Sequence, residues 1–245
     1  MAVDVNDVYQ TVLLILNKEQ RGYMTPDEFN KIATQVQLEI FEKYFEDLNQ
    51  LIRTPQADTD YSDRIKALDQ KLEIFKTEST LTVIPGPPIY FRIPADLYRI
   101  GSLTYEATNI LPVEMQRTTR GEFYNIRMSS MTTPTERFPI YLLENNGVYA
   151  YPNIIGTNAI AATHSVNMQY IKTPEPVYWN YTINSVGAFV HDTTFPPDQD
   201  FELDISERTE IILAILVYAG IVIRDPQIVQ AASSQLQADR VNAKS

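Results

Sequence analysis

The sequence predicts an α+β protein in which N- and C-terminal helices pack together as a bundle and a central segment forms an antiparallel β-sandwich or small barrel. Residues 1–79 show the apolar spacing of helices, and residues 201–245 return to it. Between them, residues 80–200 are short runs rich in Val, Ile, Tyr and Thr that prolines interrupt. Helices that flank a strand-rich middle are typical of α+β folds. We therefore expect an N-terminal helical part, a central β domain, and C-terminal helices that pack against the first part.

The amino-acid composition narrows the classes of function. The chain has a formal net charge of −11 and no cysteine. Proteins that grip nucleic acid use Lys and Arg to displace counterions from phosphates, so this acidic chain is not expected to bind DNA specifically. The lack of cysteine excludes disulfides, thiolate metal sites and cysteine nucleophiles. The first residues carry acids where a signal peptide carries positive charge, so we do not expect secretion by that route.

The N-terminal part predicts three helices. A first helix is expected at residues 6–21, where apolar residues fall on one face. A second begins after Thr25, because Thr25 and Glu28 form a capping box, in which the cap residue and a glutamate satisfy free N–H groups, and Pro26 suits the first turn. It ends at a polar linker, residues 53–60. A third, at residues 61–75, has a spacing that fits either a coiled-coil seam between subunits or a helix that lies on the sheet.

The central part predicts short antiparallel strands. A tight hairpin is expected at Asn145, Asn146 and Gly147, because Asn and Gly tolerate the positive φ that such turns need. Prolines confine the other strands to short lengths or to sheet edges. The predicted strands are residues 80–84, 89–93, 99–107, 140–143, 148–151, 165–171 and 185–190.

Residues 117–137 form the one locally basic stretch, with four arginines against two acids and no clear secondary structure. Long loops of this kind are usually functional or disordered. Two interpretations stay open: a loop that contacts a neighbouring subunit or faces a channel, or a plain mobile loop. Under the first, Arg117, Arg120 and Arg127 are candidate interface residues.

The C-terminal part predicts a helix that begins after Asp204 as N-cap, with Glu207 three positions later. Residues 211–223 carry no charge at all. A membrane span needs about 20 apolar residues, so this run is too short to cross a bilayer, and a helix that is apolar all round belongs in a core. Its cover is either the N-terminal helices or a neighbouring subunit. A break at residues 224–226 precedes a second helix, residues 227–244. The candidate interface residues here are Ile211, Leu216, Tyr218, Ile223, Arg224 and Asp225.

No catalytic, cofactor-binding or metal site is expected, and we do not predict an enzyme. Ser165, His191 and Asp192 could be imagined as a triad, but neighbours on a strand point to opposite faces. Acids at positions 198, 200, 202 and 204 alternate, as calcium binding would prefer, yet helix-capping and solvated acids explain them better. Trp179, the sole tryptophan, fits a sugar-stacking residue, an interface hot spot or a core residue.

Several phrases resemble virion structural proteins of podovirus-type tailed bacteriophages, notably the crAss-like group. They occur in order along nearly the whole chain: NKEQRGYMTPDEFN at residues 17–30, LENNGVYAYP at 143–152, YIKTPEPVYW at 170–179, and LAILVYAGIVIRDPQIVQ at 213–230. The resemblance implies a head-to-tail connector component, such as an adaptor, collar or ring protein of the phage neck. It carries no catalytic motif, so no catalytic residue is transferred.

The resemblance further implies a homo-oligomeric ring, of twelve copies if it matches the portal, beneath that protein and next to other ring or tail proteins. Such a protein is made in the host cytoplasm and resides in the virion, with no membrane association. Double-stranded DNA would pass through the ring without specific binding, since an acidic wall offers phosphates no partner. The alternative is a carbohydrate- or receptor-binding tail module, which the Tyr-rich middle and Trp179 would support.

Overall fold

The computed structural model describes residues 2–18, 24–53, 59–107, 110–144, 147–194, 196–223 and 230–238. The chain is a mixed α+β protein with several antiparallel sheets. It divides into two compact units: unit 1 comprises residues 1–74 and 174–245, and unit 2 comprises residues 75–173. We expected divisions after residues 79 and 200. The segment that begins at Pro174 instead belongs with the terminal helices.

The helices are α1 (Val5–Lys18), α2 (Pro26–Arg53), α3 (Thr59–Glu73), α4 (Arg120–Met128), α5 (Ile154–Ile160) and α6 (Arg208–Ile223). The strands are β1 (Ala2–Val3), β2 (Lys76–Thr80), β3 (Val83–Ile84), β4 (Tyr90–Phe91), β5 (Leu97–Ala107), β6 (Ile110–Glu114), β7 (Gln116–Thr118), β8 (Ile140–Glu144), β9 (Gly147–Tyr151), β10 (His164–Lys172), β11 (Tyr181–Ile183), β12 (Phe189–His191) and β13 (Phe201–Asp204). A 3-10 turn at Ile205–Glu207 precedes α6, and residues 230–238 are helical.

In unit 1, α6 packs against α1 and α2. Its buried side chains are Ile211, Ala214, Ile215, Leu216 and Ala219, so helices of the same chain supply cover for the uncharged run. The described part of the chain has no helix that is long and apolar enough to span a bilayer. The capping box predicted at Thr25 is confirmed: its N–H donates to the Glu28 carboxylate over 2.9 Å, and the Glu28 N–H returns to the Thr25 hydroxyl over 3.4 Å.

Polar side chains of α2 attach residues 174–202 to the helices of unit 1. The fully buried Gln37 donates from Nε2 to the carbonyl of Glu175 over 2.7 Å and accepts the N–H of Glu202 over 2.9 Å. The Gln37 side-chain amide therefore joins two backbone segments by the hydrogen bonds that a neighbouring strand would otherwise make. This tie explains why the segment after Pro174 groups with the helices, although its composition resembles that of the central strands.

Unit 2 contains two sheets. One has the strand order β2-β10-β5-β6 and is antiparallel, and the other has the order β3-β4-β9-β8-β7, in which only the β7–β8 pair is parallel. Residues from both sheets share one core, including Leu103, Met168, Phe91 and Val148. The predicted hairpin is confirmed, since β8 and β9 pair antiparallel and Glu144 lies opposite Gly147.

Some elements differ from the prediction. The stretch at 117–137 is not a continuous loop, because it includes the end of β7 and all of α4. The strand predicted at residues 185–190 is replaced by the hairpin β11–β12, whose turn occupies residues 184–188. Helix α5 was not predicted. Of the second C-terminal helix, residues 230–238 are described and helical, whereas residues 224–229 and 239–244 lie outside the described residues.

Candidate interaction surface

Helix α4 begins with a second capping box. Both the N–H and the hydroxyl of Thr119 donate to the Glu122 carboxylate over 2.9 Å, and the Glu122 N–H donates to the Thr119 hydroxyl over 3.4 Å. The backbone hydrogen bond from Thr119, followed by that from its hydroxyl, lowers the pKa of Glu122. These bonds fix the first turn of a short helix that would be marginal in isolation.

The inner face of α4 packs on the second sheet of unit 2. Phe123 is 5% exposed and lies in a small cluster with Ile140 and Leu142 of β8. Its ring is 4.3 Å from that of Tyr151, and the Arg127 guanidinium lies 5.4 Å from the Phe123 ring centroid. This hydrophobic contact fixes α4 on the sheet, so the opposite face of the helix is directed to solvent.

The outer face of α4 carries Arg120, Tyr124 and Met128, which recur every four residues and so form a row along one side of the helix. Tyr124 is 55% exposed and Met128 is 87% exposed. The Arg120 guanidinium pairs with the Glu144 carboxylate, and its Nε lies 2.9 Å from the nearer oxygen. The row therefore combines one anchored cation with two solvent-facing apolar side chains.

The segment after α4 is tied back to the helix. The Thr132 hydroxyl donates to the carbonyl of Ile126, and the Thr133 hydroxyl donates to that of Ser129, each over 2.9 Å. Held in this way, the segment exposes two more large apolar side chains, Met131 at 94% and Phe138 at 78%. Such anchored exposure is costly for a free protein, since water orders around each apolar group.

We name the exposed set the 117–138 surface; its members are Arg117, Arg120, Tyr124, Arg127, Met128, Met131, Arg137 and Phe138. Aromatic residues, Met and Arg are the side chains that interfaces enrich and that carry most binding energy. Four large apolar side chains exposed within one short segment are a feature of protein-binding surfaces. The composition of the 117–138 surface suits association with another polypeptide.

The sequence pattern pointed to three arginines of this surface and missed Tyr124, Met128, Met131 and Phe138. Tyr124 and Met128 could have been found from the sequence. Thr119 and Glu122 have the capping-box spacing that identified α2, and a helix that starts there places Tyr124 and Met128 in one row on its outer side. No local signal shows that residues 131 and 138 are exposed, because their exposure depends on how the segment folds back.

The C-terminal candidates lie elsewhere. Ile211 is 0% exposed and Leu216 is 5% exposed, both on the packed sides of α6, so they are not available to another subunit in this structure. The Tyr218 hydroxyl donates to the Glu39 carboxylate of α2, and this hydrogen bond, together with burial, raises the pKa of Tyr218. Ile223 is the last residue of α6. Arg224 and Asp225 lie outside the described residues.

Trp179 is a core residue of unit 1, 4% exposed. Its ring lies 4.3 Å from that of Tyr9 and stacks on that of His191 at 5.3 Å with an interplanar angle of 11°. Its Nε1 donates to the Asn6 side chain over 3.1 Å. Of the three roles open from the sequence, the core role is the one that its burial and partners fit. With 4% of the side chain exposed, the indole ring offers no open face on which a sugar could stack.

The histidines and the alternating acids have structural partners. His191 Nε2 lies 2.6 Å from Asp198, while His164 contacts Tyr105 and Asn158 in unit 2. Each of the four alternating acids accepts a main-chain N–H: Asp198 from Asn180, Asp200 from Val5, Glu202 from Glu175 and Asp204 from Ser206. Among the described residues, no group of three or more His, Asp or Glu is placed to hold a metal ion.

Two open clefts lie in unit 2. One has a volume of about 450 Å³ and is lined by prolines 87 and 88, Phe91 and Tyr151, and the other, of about 460 Å³, is lined by Ser102, Arg117 and Tyr141.

Comparison with protein-family models and with curated proteins finds no match to this chain.

Proposed function

We propose that this protein is a structural ring component of a bacteriophage neck, a head-to-tail connector that oligomerises beneath the portal. The observation that carries the proposal is the 117–138 surface, whose exposed Met, Tyr, Phe and Arg side chains suit a protein interface. The resemblance of four ordered sequence phrases to podovirus-type connector proteins supplies the setting. A structural protein needs a folded body with protein-binding faces and no reaction centre.

The finer architecture belongs to the same proposal. The N- and C-terminal helices act together as a bundle that docks on the portal or on the next ring, and the two sheets of unit 2 act as a sandwich. The packing of α6 on α1 and α2 and the shared core of the two sheets support this assignment. The net charge of −11 supports a channel through which DNA passes without adhering, because 31 Asp and Glu outnumber 20 Lys and Arg and repel phosphates.

The alternative, a carbohydrate- or receptor-binding tail module, has less support. Its main candidate residue was Trp179, which is buried in contact with Tyr9 and His191 and hydrogen-bonded through its indole N–H. Sugar-binding tryptophans present a free ring face to the ligand. The Tyr-rich middle remains as the only feature in its favour.

The test is to locate the chain in the intact particle by electron microscopy, with a gold-binding tag fused to the chain. A ring of density with gold at the junction of head and tail is the expected result. Gold at the tips of tail fibres, together with a trimeric purified protein, would establish the alternative. Absence of the chain from purified particles would contradict both functions.

A further inference from the structure

The charge of this protein is divided unequally between its two units. Unit 1 contains 24 Asp and Glu against 12 Lys and Arg, a net charge of −12, whereas unit 2 contains 7 against 8, a net charge of +1. Random placement would spread the acids in proportion to length. Unit 1 is therefore strongly anionic, whereas unit 2 is close to neutral.

Within unit 2 the positive charge is concentrated on the surface that also exposes apolar groups. Residues 117–137 contain four of the eight cations of unit 2. Arg127 and Arg137 are exposed beside Met128 and Phe138. Cations around apolar side chains form the arrangement of an interface, in which the apolar centre supplies affinity and the charges select the partner.

Within unit 1, helix α2 presents a complementary row. Glu42 and Glu46 are both exposed and lie one turn apart. Like charges at this spacing destabilise a helix, and a cationic partner that bridges them removes the repulsion. Lys43, between them in sequence, is directed to Glu210 of α6 over 3.0 Å and so does not neutralise this row.

We propose that the 117–138 surface of one copy docks on the acidic α2 face, around Glu42 and Glu46, of unit 1 in a second copy. The inference rests on the proposed function and names the two faces of its ring contact. A contact of the 117–138 surface with itself would bring the exposed arginines of both copies together, so the acidic α2 face is the more favourable partner. Repeated head-to-tail from copy to copy, a contact between two different faces generates a ring when the rotation closes.

The experiment uses two charge-reversal variants of the full chain. Arg127→Glu with Arg137→Glu makes the 117–138 surface acidic, and Glu42→Lys with Glu46→Lys makes the α2 face basic. Native mass spectrometry over a concentration series should show oligomers for the unaltered chain. Each variant alone should dissociate, with the apparent Kd raised roughly tenfold or more, because like charges then face each other.

Mixing the two variants supplies the decisive result. In the mixture the acidic 117–138 surface of one variant meets the basic α2 face of the other, and the remaining two faces are a wild-type pair. Oligomers with equal numbers of both variants should therefore re-form. Two unfolding variants could not restore each other in this way, and circular dichroism of each variant checks that the fold is kept.

Matched controls carry the same charge changes on other exposed positions. Arg92→Glu with Arg99→Glu matches the first variant, and Glu78→Lys with Glu175→Lys matches the second; all four side chains are exposed. Both controls should oligomerise as the unaltered chain does.

The outcomes that overturn the inference are distinct from failure of the proposed function. Oligomers that persist in both reversal variants place the contact elsewhere, while the neck assignment stands if the particle images show it. An unaltered chain that stays monomeric at all concentrations also overturns the contact. Retarded migration of duplex DNA at physiological salt that is lost only in the Arg127 and Arg137 variant would identify nucleic acid as the occupant instead.

Discussion

The side chain of Asn30 on α2 makes a matched pair of hydrogen bonds with the main chain of Trp179. Its Nδ2 donates to the Trp179 carbonyl over 3.2 Å, and its Oδ1 accepts the Trp179 N–H over 2.9 Å. An amide side chain thus serves as a one-residue strand partner, because it has one donor and one acceptor at the spacing of a peptide group. Two turns later on the same helix, the Gln37 amide also bonds main-chain groups, here the carbonyl of Glu175 and the N–H of Glu202.

Replacement of Asn30 by alanine should destabilise unit 1 by about 1–3 kcal/mol, because both main-chain groups of a buried residue lose their partners. Trp179 is the only tryptophan of the chain, so its fluorescence during urea unfolding measures the effect directly. The emission of the folded variant should also shift to longer wavelength as water reaches the indole.

The control for this prediction is Gln35→Ala on the exposed side of the same helix, where the cost should stay within about 0.5 kcal/mol. An Asn30→Ala protein as stable as the control would mean that the pairing contributes nothing. Asn30→Asp should resemble the alanine variant or be worse, since a carboxylate oxygen then faces the Trp179 carbonyl.

Local chemistry could be predicted from sequence where partners lie within a few residues. The capping box at Thr25 and Glu28 was identified from its spacing, and the hairpin at Gly147 from its turn residues. Thr119 and Glu122 follow the same rule, and they were missed because four nearby arginines suggested a loop. Here the sequence held the signal, and the structure shows that the local rule outweighs the charge pattern.

The environment of Trp179 could not be predicted, because its partners are distant in sequence. Asn30 and Asn6 are separated from it by 149 and 173 residues. The residues next to Trp179 in sequence do not distinguish a tryptophan that packs on Tyr9 from one that binds a sugar. The sequence likewise left open whether the same chain or a neighbouring subunit packs on α6. An apolar run shows that the helix must be buried, but it does not show which residues bury it.

The capping box of α4 should make that helix sensitive to acid. Hydrogen bonds from Thr119 lower the pKa of Glu122, so their contribution to stability is complete above the ordinary glutamate pKa of 4.5. It is lost as the pH falls through the lower pKa of the folded state. Amide hydrogen exchange of residues 119–128, corrected for intrinsic rates, should show protection that declines over this acidic range.

Glu122→Gln provides the control for the acid response. The amide oxygen still accepts from Thr119 but does not titrate, so protection of α4 should be lower at neutral pH and independent of pH in this range. Thr119→Ala should weaken the helix by about 1 kcal/mol at neutral pH and by less in acid, where the bond from its hydroxyl to the Glu122 carboxylate is already lost. An acid response that survives in the Gln variant would assign the titration to another group.

Gly147 is required by the geometry of the β8–β9 hairpin. Its φ is +150°, and a Cβ built there would lie 2.2 Å from the carbonyl oxygen of Phe91. Both the backbone angle and the contact oppose any side chain, so Gly147→Ala should cost about 2–4 kcal/mol. Chemical unfolding of the full chain, followed by far-ultraviolet circular dichroism, measures the loss.

Gly121→Ala is the matched glycine control. It lies in α4, where an added Cβ meets no atom within 4 Å, so the substitution should be neutral or stabilise by up to about 1 kcal/mol. A Gly147→Ala protein as stable as Gly121→Ala would show that the hairpin tolerates a side chain and that the close approach to Phe91 relaxes.

The ion pair between Lys71 of α3 and Glu207 should be strongly coupled. Glu207 is 7% exposed, and the Lys71 ammonium also lies 5.6 Å from the Tyr44 ring centroid. Burial, with the Glu207 charge as the next cause, raises the pKa of Tyr44, so this tyrosine stays neutral beside the pair. Lys71→Met leaves a buried carboxylate without its cation and should cost about 1–3 kcal/mol, the lower part of the range for buried pairs because Lys71 is partly exposed.

Glu207→Gln in the Lys71→Met background tests the cause of that loss. If the cost arises from an unpaired buried charge, the double variant should be more stable than Lys71→Met alone, since its amide is neutral. A double-mutant cycle from urea unfolding at neutral pH supplies the coupling energy. Additive losses would mean that the two side chains act separately, and that α3 is held to unit 1 by packing around Leu72 and not by this pair.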